Sequence, residues 1–386
     1  LALNIFVVNE ARKGREFAHE KRCALTPMSA KKLIRLGYSI TLESGAGKAA
    51  GYSDELYRDV DVTITKDTEA LSQADIVFYV NRPMMDEVSA LKSGALVIGH
   101  CDPFFNQALV ESLAQQQVNT LSIEMIPRST RAQKMDALSS QASLAGYVMM
   151  LEAANSLPTI LPMMMTPSGT IKPAKVYIIG AGVAGLQAIA TAKRLGANVL
   201  AYDTRPVVAE QVESLGGKFL HIDIGETGQT KDGYAKELTD TQKQIQQDAQ
   251  RDAIADADIV ITTAQLFGRK PPQLIDKATL ALMKPGSVVV DMAAQSGGNV
   301  EGSAAGKSKV VNGVTVIGTG NWSQKVARDA SDMYANNLAN LVEEFTDSEA
   351  KAFNLSLEDE ILAQSVITNN GAIINDMLKN AYQGAK

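Results

Sequence analysis

Gly180-Ala181-Gly182-Val183-Ala184-Gly185 follows an apolar run at 176–179 and opens a helical stretch at 186–195. In a Gly-x-Gly-x-x-Gly turn the first glycine makes the bend and the second lets the backbone approach a pyrophosphate. The third lets the helix pack closely on the strand. The unpaired amides at the helix N-terminus then face the phosphates. Three glycines alone are a weak signal, but the next apolar run ends in Asp203, an acid at the spacing expected for adenosine ribose hydroxyls. Together these features predict a dinucleotide site at Gly180, Gly182, Val183, Gly185 and Asp203. Asp203 favours NAD, because a carboxylate repels a 2′-phosphate. Arg205, two residues on, keeps NADP open, because arginine accommodates that phosphate.

A second concentration of polar chemistry runs over 127–141, PRSTRAQKMDALSSQ. A helix starting near Gln133 would put Gln133, Asp136 and Ser139 on one face, with Arg128 or Arg131 able to pair with Asp136. The plainer reading of the same residues is a capped helix start with a salt bridge. His19, His100 and His221 form no His-x-x-x-His and no Cys/His cluster, so no metal is expected. His100 ends the apolar run Ala-Leu-Val-Ile-Gly and reads equally as an acid/base group or as a satisfied histidine. The glycines at 45–51 are wrongly spaced for either common phosphate loop and read as a flexible connection. Met163, Met164 and Met165 read as core packing beside an interdomain hinge in preference to an adaptable contact surface. No Gly-x-Ser-x-Gly is present, which leaves acyl transfer without support.

The elements that must hold these residues alternate along the chain. Short β-rich runs at 5–8, 39–43, 75–80, 95–99 and 120–124 are separated by helical stretches such as 27–36 and 107–117. The series restarts with strands at 175–179, 198–202, 218–220, 259–262, 287–292 and 314–317, and helices at 185–195 and 211–215. Such alternation predicts an α/β fold of two Rossmann-like, doubly wound parallel sheets around a cleft, joined by linker helices at 136–157 and 330–345. The expected division is 1–137 plus 328–386 for a first domain with a returning C-terminal segment, and 138–327 for the nucleotide domain. The polar stretch 225–250 begins as a mobile loop of the kind that is commonly functional.

Composition narrows the partners. A chain of 386 residues, 45% hydrophobic and 21% charged, fits a folded globular protein. A net charge of −6 argues against nucleic acid. No apolar run reaches the ~18 residues that a membrane helix needs. Two cysteines without a CxxC point to a reducing compartment. The N-terminus shows no signal-peptide pattern and lacks an initiator Met, so residues are expected upstream.

With both clusters in view, the chain resembles the NAD(H)-binding component, the alpha subunit or domain I, of the proton-translocating nicotinamide nucleotide transhydrogenases. The resemblance rests on ordered blocks: RAQ-x-MD-x-LSSQ-x-x-LAGY from Arg131, MMMT-x-x-GT from Met163, GVAGLQAIATAKRLGA from Gly182, EQVESLGGKF from Glu210, GYAKE from Gly233 and KPGSVVVDMAAQSGGN from Lys284. It implies a Re/Si-specific, proton-translocating enzyme in which hydride passes directly between NAD(H) on this chain and NADP(H) on a partner component, coupled to a membrane component. It also implies a homodimer, no metal, no membrane insertion of this chain, and a cytoplasmic place on the inner face of the membrane, or the matrix side in an organelle. The resemblance assigns nicotinamide-side roles to Arg128, Gln133, Asp136 and Ser139, with Tyr147 on the same helix. Tyr234, in Gly-Tyr-Ala-Lys, matches the tyrosine of a nucleotide-closing loop. It also strengthens NAD over NADP.

Alanine dehydrogenase is the neighbouring enzyme in this resemblance. Arg22 and His100 fall near its carboxylate-binding arginine and its histidine, but Asn81 stands where its catalytic lysine would fall. A neutral amide cannot donate the proton that imine reduction requires. Transfer of a bare hydride needs no such donor. The rival readings are an alanine-dehydrogenase-like enzyme and a non-catalytic NAD-sensing module. The stretches 265–269 and 321–323 depart from the family pattern and leave loop detail and docking open.

Overall fold

The structure is a computed structural model that describes residues 2–225, 238–266 and 268–384. The chain divides into two compact units, Leu1–Gln141 with Gln324–Lys386, and Ala142–Ser323. Among the described residues, no helix is long and apolar enough to cross a membrane.

The first unit is built on an eight-stranded sheet. Six parallel strands run across it in the order Thr63–Thr65, Ser39–Glu43, Asn4–Val7, Ile76–Phe78, Leu96–Gly99, Asn119–Ser122. Val366–Asn369 and Ala372–Ile373 from the end of the chain extend that edge in antiparallel pairing. Alternate residues divide between two cores. Ile5, Val7, Ile76 and Phe78 join one apolar cluster, while Phe6, Val8, Val77 and Tyr79 join the other. A strand buried on both faces must be apolar at every position, and for this reason the runs are continuous instead of alternating. The helix Pro27–Arg35 begins as its residues dictate, with proline in the first turn and Ser29 Oγ accepting from the Thr26 amide at 2.9 Å.

The second unit repeats the plan with Lys218–Phe219, Asn198–Tyr202, Lys175–Ile179, Ile259–Thr262, Val288–Asp291 and Val314–Ile317 in parallel. Ser308–Val311 closes its far edge antiparallel. Both sheets carry the Rossmann strand order. Each reverses direction of winding at one place, beside Asn4–Val7 in the first and beside Lys175–Ile179 in the second. Ligands of open α/β sheets bind outside the strand ends at that reversal. The mixed α/β fold with two parallel-dominated sheets is thus as the sequence predicts.

Four expectations need correction. The long linker helix runs Ala137–Ser156 and starts four residues after Gln133, which lies on a separate 3-10 turn, Gln133–Met135. Asp136 ends that turn and its side chain bonds Ser139, a local alternative that stops one continuous helix from forming. The turn at 45–51 is packed instead of flexible: a Cβ on Gly47 would lie 2.5 Å from the Tyr57 hydroxyl. The methionines at 163–165 are exposed, Met165 by 73%, on a hairpin of Met164–Thr166 and Gly169–Ile171. Among the described residues this hairpin pairs with no third strand, and a two-stranded hairpin by itself buries little of its own surface. Finally, Thr63–Thr65 adds a strand where none is expected, because TIT is too short and too polar to show a period.

Candidate functional site

The glycine turn sits where the second sheet reverses. Gly180 follows Lys175–Ile179 with φ +100°, a conformation that favours glycine, and a Cβ there would lie 2.4 Å from Thr263 Oγ1. Gly185 packs the helix Val183–Arg194 on the strand so closely that a Cβ would reach 1.8 Å from the Gly180 carbonyl oxygen. Gly182 caps the helix with no side-chain bond, and its Cβ position meets nothing nearer than Arg205 Nη2 at 3.9 Å. An added side chain at Gly182 would point into open space, so this backbone is the part a ligand can approach. Val183, the first helical residue, is exposed beside it. The three glycines therefore occupy three different physical situations, and these fit the bend, approach and packing roles of a dinucleotide turn.

Two residues that motif spacing does not mark hold this turn in place. Thr263 Oγ1, just past Ile259–Thr262, donates to the Gly180 carbonyl at 2.9 Å. Gly146, in the linker helix, abuts the start of the nucleotide helix at Ala184. The only signal for Thr263 is its place at the end of the fourth strand, next to the reversal. Tyr147, one residue beyond Gly146, is exposed. Asp203 ends Asn198–Tyr202 and accepts the Ala181 amide at 2.8 Å and the Arg205 amide at 2.8 Å. Arg205 completes a bidentate pair with it through Nε at 2.9 Å and Nη2 at 3.0 Å. Hydrogen bonding to Asp203 raises the Arg205 pKa above its ordinary value.

A further anchor lies at the end of the fifth strand. Asp291 is fully buried and accepts from the amides of Ala293 and Asn299 at 3.0 Å each. Asn299 in turn donates to the carbonyls of Ala264 and Pro272 at 2.9 and 2.8 Å, which fixes the loop that follows Thr263.

In the first unit, Asp136 accepts the Ser139 amide at 2.9 Å and the Ser139 hydroxyl at 2.5 Å, capping the linker helix. Ser140 Oγ bonds Asn337 Oδ1 at 2.8 Å, and Asn337 donates to the Lys134 carbonyl at 3.0 Å, so this helix start is braced from behind by Ala327–Glu344. Gln133 and Arg128 are exposed. Arg131 is committed elsewhere, to Asp359 and, at 3.9 Å, to Glu344. Tyr234 lies outside the described residues.

The reversal of the first sheet holds a buried ionic cluster of which the sequence marks only Arg22, Asn81 and His100. Arg22 grips Glu20 through Nε at 2.9 Å and Nη2 at 2.8 Å, and reaches Gln141 Oε1 at 3.0 Å. Burial alone would raise the Glu20 carboxyl, but the charge and hydrogen bonds of Arg22 outweigh it and bring its pKa to about 2. Asn81 Nδ2 points at Glu20 Oε2, 3.2 Å away, and Glu10 Oε2, 3.3 Å away. Arg15 is shared between Glu10 and Glu87. His100 is a satisfied histidine: Nδ1 lies 2.9 Å from the Val80 carbonyl oxygen, and its ring stacks on Tyr334. Burial lowers its pKa.

Comparison with known proteins adds a family. The model for the alanine dehydrogenase/PNT N-terminal domain matches residues 9–145, and that for the C-terminal domain matches residues 149–376. The chain is 42% identical to the first part of the NAD(P) transhydrogenase alpha subunit of Rhodospirillum rubrum, covering 99% of this chain and all of that protein. The same-named protein of Rickettsia prowazekii is 40% identical, over 95% of this chain and 96% of that one. A solved transhydrogenase from Sinorhizobium meliloti superposes with a TM-score of 0.83 at 38% identity, covering 97% of this chain and 99% of that one. An L-alanine dehydrogenase superposes over the full length of both chains with a TM-score of 0.80 at 22% identity, a likeness of fold.

Proposed function

Because the chain belongs to the alanine dehydrogenase/PNT family and matches NAD(P) transhydrogenase alpha subunits over nearly its whole length, we propose that it is the NAD(H)-binding component of a proton-translocating transhydrogenase. Bound at the glycine turn, NAD(H) supplies one hydride donor or acceptor, and the NADP(H) of a partner component supplies the other. The amides at the start of Val183–Arg194 would face the pyrophosphate, with Gly180 and Gly185 shaping the turn, and Asp203 would take the adenosine ribose. By the family resemblance, Arg128, Gln133, Asp136, Ser139 and Tyr147 serve the nicotinamide end, and Tyr234 the closing loop. Asp136 and Ser139 hold the carboxamide and ribose, and Gln133 lies toward the incoming ring. A hydride carries its electron pair with it from one C4 to the other, so no proton is donated and the chain needs no acid or base. Its work is to orient one ring and keep water away.

One observation carries the choice of this chemistry over that of an amino-acid dehydrogenase. Asn81 stands between Glu20 and Glu10, and Arg22 already spends its guanidinium on Glu20. Asn81 is a neutral amide that cannot supply the proton of imine reduction, and Arg22, engaged by Glu20 and Gln141, is not a vacant carboxylate receptor. The coupling to a membrane component, the inner-face location and the homodimer belong to the same proposal. The exposed methionine hairpin supports self-association, since Met164 and its cross-strand partner Ile171 are both exposed, as are Met163 and Met165.

The test is hydride exchange between nicotinamides when the chain is mixed with an NADP(H)-binding component, together with NADH and NADPH titrations of the chain alone. We expect NADH to bind in preference to NADPH and exchange to require both proteins. Tight NADH binding without exchange would favour a sensing module instead. Gln133→Asn is expected to slow exchange with little effect on NADH affinity.

A further inference from the structure

An ionised carboxylate has about four lone-pair sites on two oxygens. On Asp203 all four are filled by this chain. Oδ1 takes the Arg205 amide and Arg205 Nε, while Oδ2 takes the Ala181 amide and Arg205 Nη2. The two amides are part of the backbone of the glycine turn and of the strand end, so neither can leave without unmaking the turn. The two guanidinium bonds sit on a flexible side chain, one on each oxygen. A vicinal ribose diol donates in the same way, one hydroxyl to each oxygen of a carboxylate. The guanidinium fork therefore occupies the acceptor sites that an adenosine ribose requires.

Resting on the reading of this turn as an NAD(H) site, we propose that Arg205 is a latch on the ribose subsite that sets both affinity and selectivity. The guanidinium covers Asp203 through Nε and Nη2, and it gives way to the two hydroxyls when NAD(H) binds. The pair is nearly enclosed, with side-chain exposures of 15% and 7%, so the carboxylate is not left bare before the ribose arrives. A 2′-phosphate has no 2′ hydroxyl to donate. It can only draw the guanidinium off and leave Asp203 facing a like charge. The latch opens to a diol and resists a phosphate.

Arg205→Ala and Arg205→Lys in the otherwise whole chain test this by equilibrium binding and thermal melting. Arg205→Ala should bind NADH about fivefold tighter or more, with Arg205→Lys between it and the wild type, because the competing donor is gone or reduced to one. The gain should shrink with an NADH analogue whose adenosine ribose lacks the 2′-hydroxyl, and should be absent with NADPH. The melting temperature of free Arg205→Ala should fall below that of the wild type, and the gap should close at saturating NADH, when the ribose replaces the lost donors. Weaker NADH binding by Arg205→Ala would overturn the latch and make Arg205 a direct nucleotide contact. Unchanged binding would overturn it too, since the pair would then stay closed in the complex. Failure of the wild type and both variants to bind NADH would instead sink the NAD(H) reading beneath it.

Discussion

Gly146 and Ala184 touch backbone to backbone: a Cβ on Gly146 would lie 2.1 Å from the Ala184 carbonyl oxygen and 3.1 Å from the Ala188 amide nitrogen. Because the obstructing atoms belong to a helix and not to a pliable side chain, no rotamer change relieves the clash. Gly146→Ala is therefore expected to cost about 1–3 kcal/mol of stability. It should also weaken NADH binding if the displaced helix start is, as proposed, the one that receives the phosphates. Melting curves with and without NADH check both effects, and a variant as stable as the wild type would refute the contact.

The Asp136–Ser139 cap separates structure from function. Asn caps helices about as well as Asp, whereas Ala does not, at a cost of about 1 kcal/mol. Asp136→Asn should thus keep the melting temperature near that of the wild type while lowering hydride exchange severalfold. Asp136→Ala should lose both. If Asp136→Asn exchanges hydride at the wild-type rate, the residue is a cap and nothing more.

Acid stability should report on Glu20. Its folded pKa, about 2, lies below the ordinary 4.5, so the contribution of its pair with Arg22 is whole above about pH 4.5 and is lost as the pH falls toward 2. The melting temperature of the wild type should fall across that window. Glu20→Gln should start lower at neutral pH, with Arg22 left buried beside an amide, and should fall less steeply in acid. Parallel slopes for the two proteins would contradict the pairing.

Amination of pyruvate offers a sharper contrast. With NADH, pyruvate and ammonia the chain should show no turnover. Asn81→Lys alone should not create it, because Arg22 remains occupied by Glu20. Robust turnover by the unmodified chain would overturn the transhydrogenase reading in favour of an amino-acid dehydrogenase.

The glycine turn is legible in the order of residues because its requirement is local. A bend, an open approach and a tight packing position each demand glycine, and the strand and helix that flank them carry their own periods. The same holds for Lys175–Ile179 and Ile259–Thr262, which follow from runs of buried, mostly apolar residues, and for Ser39–Glu43, where Ile40 and Leu42 alternate with polar residues. Thr63–Thr65 and the methionine hairpin are illegible there, because short strands take their identity from neighbours, not from pattern.

Sequence by itself determined two parallel α/β sheets, a Gly-x-Gly-x-x-Gly turn followed at the next strand end by Asp203, and a neutral amide at Asn81. Only the tertiary structure decided that Arg205 closes over Asp203, that Glu20 fills Arg22, and that Gly146 presses on Ala184. Periodicity and spacing act through contacts a few residues apart, which the chain order records. The pairing of a charge depends on which of many possible partners folding brings within about 3 Å, and that choice is made in space.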